Sequence, residues 1–209
     1  MDGLYIICSA LIGAAATITS VLISRKNKRD KEKTINPILS ETQNNENIYT
    51  ALDFVMKEMN ADRAYILQFH NGGYYMSGRS QQKFSCTHEM VEKGISRECE
   101  FSKNHIVSNF HTYINGLITD GKFAYLDADN VPDHSFSLMM ENKGIQSIYN
   151  IPIKTLNNTV IGILGVDYIK NCASKDSIGF CNIEQKESFN EETDEFMKRQ
   201  ARVIAGYLI

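Results

Sequence analysis

The longest apolar stretch comes first. Leu4 to Ser24, "LYIICSALIGAAATITSVLIS", holds 21 residues and no charge. At a helical rise of ~1.5 Å per residue it reaches roughly 31 Å, the thickness of a bilayer core. Small residues Gly13 to Ala16 form one patch along it, a place where two such helices can approach closely. Past this span the pattern changes to shorter, amphipathic units. Ser40 with Gln43 reads as a capping box, and Pro37 as the end of a linker. Ile48, Leu52, Val55, Met56 and Met59 then recur at helical spacing, predicting an amphipathic helix that ends near Asn60.

Period-two patterns follow. "ADRAYILQFH" predicts a strand with Tyr65, Leu67 and Phe69 on one face and Ala64, Ile66 and Gln68 on the other, ended by Gly72-Gly73. "KFSCTHEMV" predicts a second strand, with Phe84, Cys86, His88 and Met90 alternating against Ser85, Thr87 and Glu89. "NHIVSNFHTYINGLI" has helical spacing through Ile106, Phe110, Tyr113, Ile114 and Leu117, and "KFAYL" is a short strand. Phe136, Met139 and Met140 form a short helical stripe closed by Gly144. "IQSIYNIPIKTLNNTVIGILGVDYI" predicts a hairpin turning at Asn157-Asn158, its second arm apolar enough for a central strand. Residues 171–189 read as a polar loop. Asn190 caps a last helix whose first turn carries Glu191, Glu192 and Asp194. The order is helix, strand, strand, helix, strand, helix, strand, strand, helix. It predicts an α+β fold, an antiparallel sheet with helices packed on it, preceded by one N-terminal transmembrane helix.

Charge sharpens the reading of the N-terminus. The chain has 209 residues, 43% apolar, and a net charge of −3. That balance makes no case for binding nucleic acid. The distribution is uneven, since Arg25 to Lys33, "RKNKRDKEK", carries +4 and the chain from Thr34 onward carries −6. A cleaved signal peptide would place its basic residues before the apolar run. Here Asp2 precedes it and the basic run follows, which predicts an uncleaved single-pass anchor. The N-terminus is then outside and the C-terminal domain cytoplasmic. The basic run enforces that topology and is placed to meet anionic headgroups. Residues 1–24, 25–39 and 40–209 divide as anchor, basic juxtamembrane linker and folded domain. A cytoplasmic site keeps Cys86, Cys99, Cys172 and Cys181 reduced, and none has CxxC spacing.

Three stretches together resemble a GAF domain. "ADRAYILQFH" looks like the first strand of such domains, entered from a long helix. "MMENKGIQSIYNIPI" is similar to their short helix, glycine and strand ending in an apolar-Pro-apolar step, here Ile151-Pro152-Ile153. "TVIGILGVDY" is like the following strand, with glycines at 162 and 165. The resemblance covers Ser40 to Leu208. It implies a six-stranded or similar antiparallel sheet and dimerisation through the first and last helices. It also implies a pocket roofed by a helix and loops, which in different members holds cyclic nucleotides, bilins, haem or small metabolites, and in some nothing. No cysteine–histidine pair of the bilin-binding kind surrounds His105 or His111, and no cyclic-nucleotide signature maps onto Asn104 to Leu126. The abundance of Asn, Ile and Lys fits an AT-rich genome, that of a bacterium or its phage.

Candidate chemistry centres on "QFHNGGYY". One reading makes it a binding loop. His70, Asn71, Gly72, Gly73 and Tyr74 then face Ser85, Thr87 and Glu89 of a neighbouring strand around a small ligand. The other makes it a glycine turn whose histidine satisfies local backbone groups. His70, His88, Glu89, His105, His111 and His134 are scattered without metal-ligand spacing, so no metal is expected. No serine has a nucleophile-elbow context. Some GAF-fold proteins reduce free methionine sulfoxide with pocket cysteines. Cys86 and Cys99 are the candidates for that chemistry, with Arg97 and Lys103 as the cations that would lower a thiol pKa. The expectation is a membrane-anchored small-ligand sensor or protein-interaction module, homodimeric and not an enzyme. It would act through its anchor, its dimer or a partner, because no output domain follows the last helix. The sequence names no cofactor.

Overall fold

A computed structural model describes residues 36–169 and 189–209, together with Ser20 and Ser24. The chain forms two compact units, residues 1–44 and 45–209. The apolar span, apart from those two serines, lies outside the described residues, as do the basic run and residues 170–188. Among the described residues no helix is long and apolar enough to cross a membrane.

Helix α1 (Pro37–Glu58) opens earlier than the capping box predicts. Asn36 is the cap. Its Oδ1 accepts from Ile38 N at 3.0 Å and its carbonyl accepts from Ser40 N at 3.0 Å. Pro37 takes the first helical position, where its missing N–H breaks no bond. Residues 37–39 therefore belong to the helix, not to a linker. The predicted stripe is the buried face: Ile48, Leu52, Val55 and Met56 are buried and Met59 packs beside them. The turn after the helix closes at Asn60, whose φ of 47° is the left-handed conformation that asparagine tolerates.

Six antiparallel strands follow: β1 (Arg63–Tyr74), β2 (Ser80–Val91), β3 (His105–Ile106), β4 (Phe123–Tyr125), β5 (Ile145–Lys154) and β6 (Val160–Ile169). Their order across the sheet is β3-β2-β1-β6-β5-β4, with β6 central as its apolar run predicts. Helices α2 (His111–Asp120), α3 (His134–Asn142) and α4 (Glu191–Leu208) complete the domain. Residues 105–110, read as helix, instead form β3 and a 3-10 turn before α2 begins. The β5–β6 hairpin turns with Asn158 at a φ of 62°. Asn190 caps α4 through Thr193 N at 2.9 Å. β4 pairs with β5 only as far as Asn150, and Pro152 lies beyond it, where no ladder bond to β4 is lost.

The sheet separates two apolar layers. Ala64 and Ile66 join Ile48, Leu52 and Val55 of α1 and Met197, Ala201 and Ile204 of α4. Leu67 joins Tyr113 and Leu117 of α2 and Phe136 and Met140 of α3, with Tyr65 and Phe69 beside it. The two faces predicted for β1 are thus the two layers. β2 departs from its predicted alternation. Ile66 pairs with His88 but Leu67 pairs with Cys86, so Thr87 is an extra residue, a bulge. The bulge reverses the faces downstream. Phe84, Cys86 and Glu89 come to the α3 side, while His88 and Met90 turn toward α1. His88 there bonds Asn45 Oδ1 at 3.0 Å and packs edge-on against Tyr49.

Candidate functional site

Between the α3 side of the sheet and α3 itself lies a cavity of about 30 Å³, room for one or two waters. Its apolar wall includes Phe84, Phe136, Met139 and Ile148, and its polar wall is built on charge. Arg63 enters from the start of β1 and is 1% exposed. Its Nε donates to Asp167 Oδ1 of β6 at 2.8 Å, and its Nη1 lies 3.7 Å from Glu98 and 3.4 Å from the Ser96 carbonyl. Arg63 and Asp167 are paired across β1 and β6, so sheet register itself brings the two charges together. Burial raises the Asp167 carboxyl to about 6, against the opposing pull of Arg63.

The bulge delivers Glu89 to the same wall. Its oxygens accept the backbone N–H of Glu98 at 3.0 Å and of Cys99 at 3.1 Å, fastening the 3-10 turn Cys99–Phe101 over the cavity. Lys143 follows α3 and is half-buried; its Nζ donates to Ser102 Oγ. Burial lowers its pKa, and Arg63 adds to that. His105 of β3 lies between the rings of Phe84 and Phe110, at centroid distances of 5.2 and 5.3 Å. Burial, then Lys143, holds its imidazole below the usual histidine range, so it is neutral at physiological pH. Among the described residues, two buried side-chain nitrogens lack any hydrogen-bond partner. They are Arg63 Nη2 and His105 Nε2, and both residues line this cavity.

Two thiols, Cys86 and Cys99, adjoin the site. Cys99 Sγ donates to the Cys86 carbonyl at 3.3 Å, and Cys86 Sγ to the His88 carbonyl at 3.5 Å. Burial, reinforced by Cys99, pushes the Cys86 thiol well above its ordinary range. The cations named for lowering a thiol pKa are engaged elsewhere. Lys103 pairs with Glu100 at 2.6 Å, and Arg97 lies 3.8 Å from Glu89. Among the described residues no cluster of His, Cys, Asp and Glu has the arrangement of a metal site.

Of the residues read in the sequence as ligand-binding, Glu89 alone is on the cavity wall; Cys86, read there for thiol chemistry, and His105, weighed as a metal ligand, line it as well. The Gly72-Gly73 pair does not end β1, which runs on to Tyr74 as one arm of a hairpin with β2. The glycines sit in an irregularity between Asn71 and Tyr74, with Gly73 at a φ of 123° and the side chain of Lys83 lying where Gly72 would carry a Cβ. His70 Nε2 meets Ser85 Oγ at 2.9 Å, and that hydroxyl also accepts from Asn104 N. Asn71 Oδ1 accepts from Gln82 and Ser80 of the opposite strand. Thr87 is the bulge residue and donates to the Ile66 carbonyl, and Tyr74 is 80% exposed. These residues form a hydrogen-bonded hairpin arm. The missed residues were Arg63, Glu98, Lys143 and Asp167, and His105 was considered but given no role. Asp167 had a usable signal, as the one charge inside the apolar run Val160 to Ile169. A larger open groove of about 920 Å³ borders α4 and the β5–β6 turn, but of its charged residues Glu195, Lys198 and Arg202 are exposed and already solvated, and Lys154 is half-buried.

No family described by a sequence model matches this chain, and no curated protein matches it in sequence. Solved structures do match its fold. The phycocyanobilin-bound GAF domain of a cyanobacterial phytochrome superposes with a TM-score of 0.57 at 12% identity, covering 88% of this chain and 90% of that one. The blue-light absorbing form of a GAF domain from Thermosynechococcus elongatus gives 0.54 at 12% identity, covering 81% and 88%. A GAF domain/HD domain protein from Geobacter sulfurreducens gives 0.54 at 8% identity, covering 83% and 96%. At these identities the likeness is one of fold, and the fold is GAF-like.

Proposed function

We propose that this GAF-like domain is a small-ligand sensor whose ligand occupies the cavity between the sheet and α3. One observation carries the proposal: a fully buried guanidinium with spare hydrogen-bonding capacity points into an enclosed space lined by further ionisable groups. Leaving a buried donor unpaired costs about 1–3 kcal/mol. A ligand that accepts from it recovers that energy and is selected by it. Neighbours of this fold include a domain that binds phycocyanobilin, but a cavity of about 30 Å³ has no room for a tetrapyrrole.

The sheet supplies a route outward. Asp167 meets the cavity, while the next residue of β6, Tyr168, lies on the other face and donates to the Met59 carbonyl at the end of α1, 2.8 Å away. A ligand that shifts the Arg63–Asp167 pair thereby acts on a strand bonded to α1. In this reading α1 carries the signal toward the apolar span at Leu4–Ser24. That span anchors the protein in a membrane, and resistance of the full chain to alkaline carbonate extraction tests it. Thiol-dependent reduction of a small sulfoxide is disfavoured by the chemistry of the thiols. The reaction needs a thiolate, and burial moves Cys86 the other way.

The test is to screen the purified full-length chain against a panel of small metabolites by thermal shift, with mass spectrometry of whatever co-purifies. A compound that raises the melting temperature and binds one per domain supports the proposal. A panel without any binder, and no co-purified compound, overturns it.

A further inference from the structure

The balance of donors and acceptors around the cavity goes further than its shape. Its carboxylates are supplied. Asp167 accepts from Arg63, Glu89 from two backbone N–H groups, and Glu98 from Ser96 Oγ at 3.0 Å. The unmet capacity is on nitrogen. Among the described residues, Arg63 Nη2 has no partner, and neither has His105 Nε2. Among the described residues, Lys143 Nζ has a neutral hydroxyl as its side-chain hydrogen-bond partner and forms no ion pair within 4.0 Å. Three nitrogen-bearing side chains on three different elements, β1, β3 and the end of α3, thus line one small space with bonding capacity to spare.

We infer that the ligand is a small aliphatic monocarboxylate, its carboxylate held by Arg63, Lys143 and the Nε2–H tautomer of His105. The inference rests on the cavity being the ligand site. A carboxylate has two oxygens with about four acceptor positions, which matches a fork of guanidinium, ammonium and imidazole donors. A neutral amide of the same shape brings N–H groups to a wall that already has donors in excess. A cation would meet the buried Arg63 guanidinium and the half-buried Lys143 ammonium, while the carboxylates of the wall, Asp167, Glu89 and Glu98, already accept from Arg63, backbone N–H groups and Ser96. The cavity has room for one or two waters, which is the scale of a carboxylate group, and Phe84, Phe136, Met139 and Ile148 form the apolar wall that a short alkyl tail would lie against. Phosphate and sulfate esters place their third and fourth oxygens against that apolar wall.

Isothermal titration of the full-length protein with acetate, propionate and butyrate, and with propionamide and propylammonium as matched controls, tests this. The expected result is binding of at least one acid, at least about tenfold weaker binding of the amide, and none of the ammonium. Lys143→Met and His105→Phe, which keep volume and ring packing, should each weaken the acid by about tenfold or more while the melting temperature confirms folding. If either variant fails to fold, the other carries the test. Equal affinity for acid and amide, or acid binding indifferent to both variants, overturns the inference. If none of the acids binds but a non-acidic compound from the metabolite panel does, the carboxylate assignment fails and the sensor reading stands. If nothing binds in either experiment, both fail.

Discussion

Arg63 and Asp167 illustrate how a site can be built at the expense of stability. Each ion is fully buried, and desolvation of such a pair offsets most of its attraction. Removing one partner strands the other. Arg63→Met should therefore destabilise the domain by about 3–5 kcal/mol, and adding Asp167→Leu should restore much of that loss, as measured by urea unfolding. The same pair sets a pH dependence. The Asp167 carboxyl is raised to about 6 in the folded state, above its ordinary 3.8. Between these values the native state holds more protons than the unfolded one. Stability is then fully present below about 4 and falls as pH rises to about 6, by up to roughly 3 kcal/mol. Asp167→Asn should flatten that slope. A slope of the opposite sign would show that Arg63, not burial, governs the carboxyl. Residues of this kind were hard to read in the sequence for a physical reason. A basic residue at a strand start and a lysine after a helix both look solvent-facing, and Arg63 and Lys143 become site residues only when β6, α3 and the 98–102 segment close over them.

At the scale of elements, most of the architecture was legible because burial imposes strict periods. The α1 stripe, the two faces of β1, the β5–β6 hairpin and the Asn190 cap all follow from spacing that the core then enforces. β2 was misread at one point. A bulge inserts a single residue, Thr87, and a period-two pattern has no way to register it, yet everything beyond changes face. β3 is two residues long, too short to carry a period. The Gly72-Gly73 pair looks like a strand end because glycine usually punctuates, but an irregular hairpin arm tolerates it. Gly165 of β6 has a different role. A Cβ there would lie 2.2 Å from Asn150 Oδ1 and 2.4 Å from the Tyr65 ring. Those two groups form a buried chain, Tyr65 Oη donating to Asn150 Oδ1 at 2.9 Å and Asn150 Nδ2 to Tyr113 Oη at 2.8 Å. Gly165→Ala should cost about 3 kcal/mol through overpacking. Gly206→Ala, in α4 with nothing within 4 Å, should gain about 0.5–1 kcal/mol from helix propensity. Thermal melts of the two variants check both signs.

For the whole molecule, the sheet divides labour between its faces. The α2–α3 side holds the cavity; the α1–α4 side leaves Phe54 and Val203 both 44% exposed on the helices that GAF resemblance assigns to dimerisation. We propose a homodimer through that side, and light scattering that finds only monomer at high micromolar concentration would refute it. The central claim is that ligand recognition belongs to the cavity and not to the β1–β2 hairpin. The most direct measurement is the affinity of the bound compound, by isothermal titration, for wild type, Lys143→Met and His70→Ala. Lys143→Met should bind at least about tenfold more weakly, and His70→Ala should bind as the wild type does. Loss of binding in His70→Ala, with Lys143→Met unaffected, would move the site to the hairpin and contradict it.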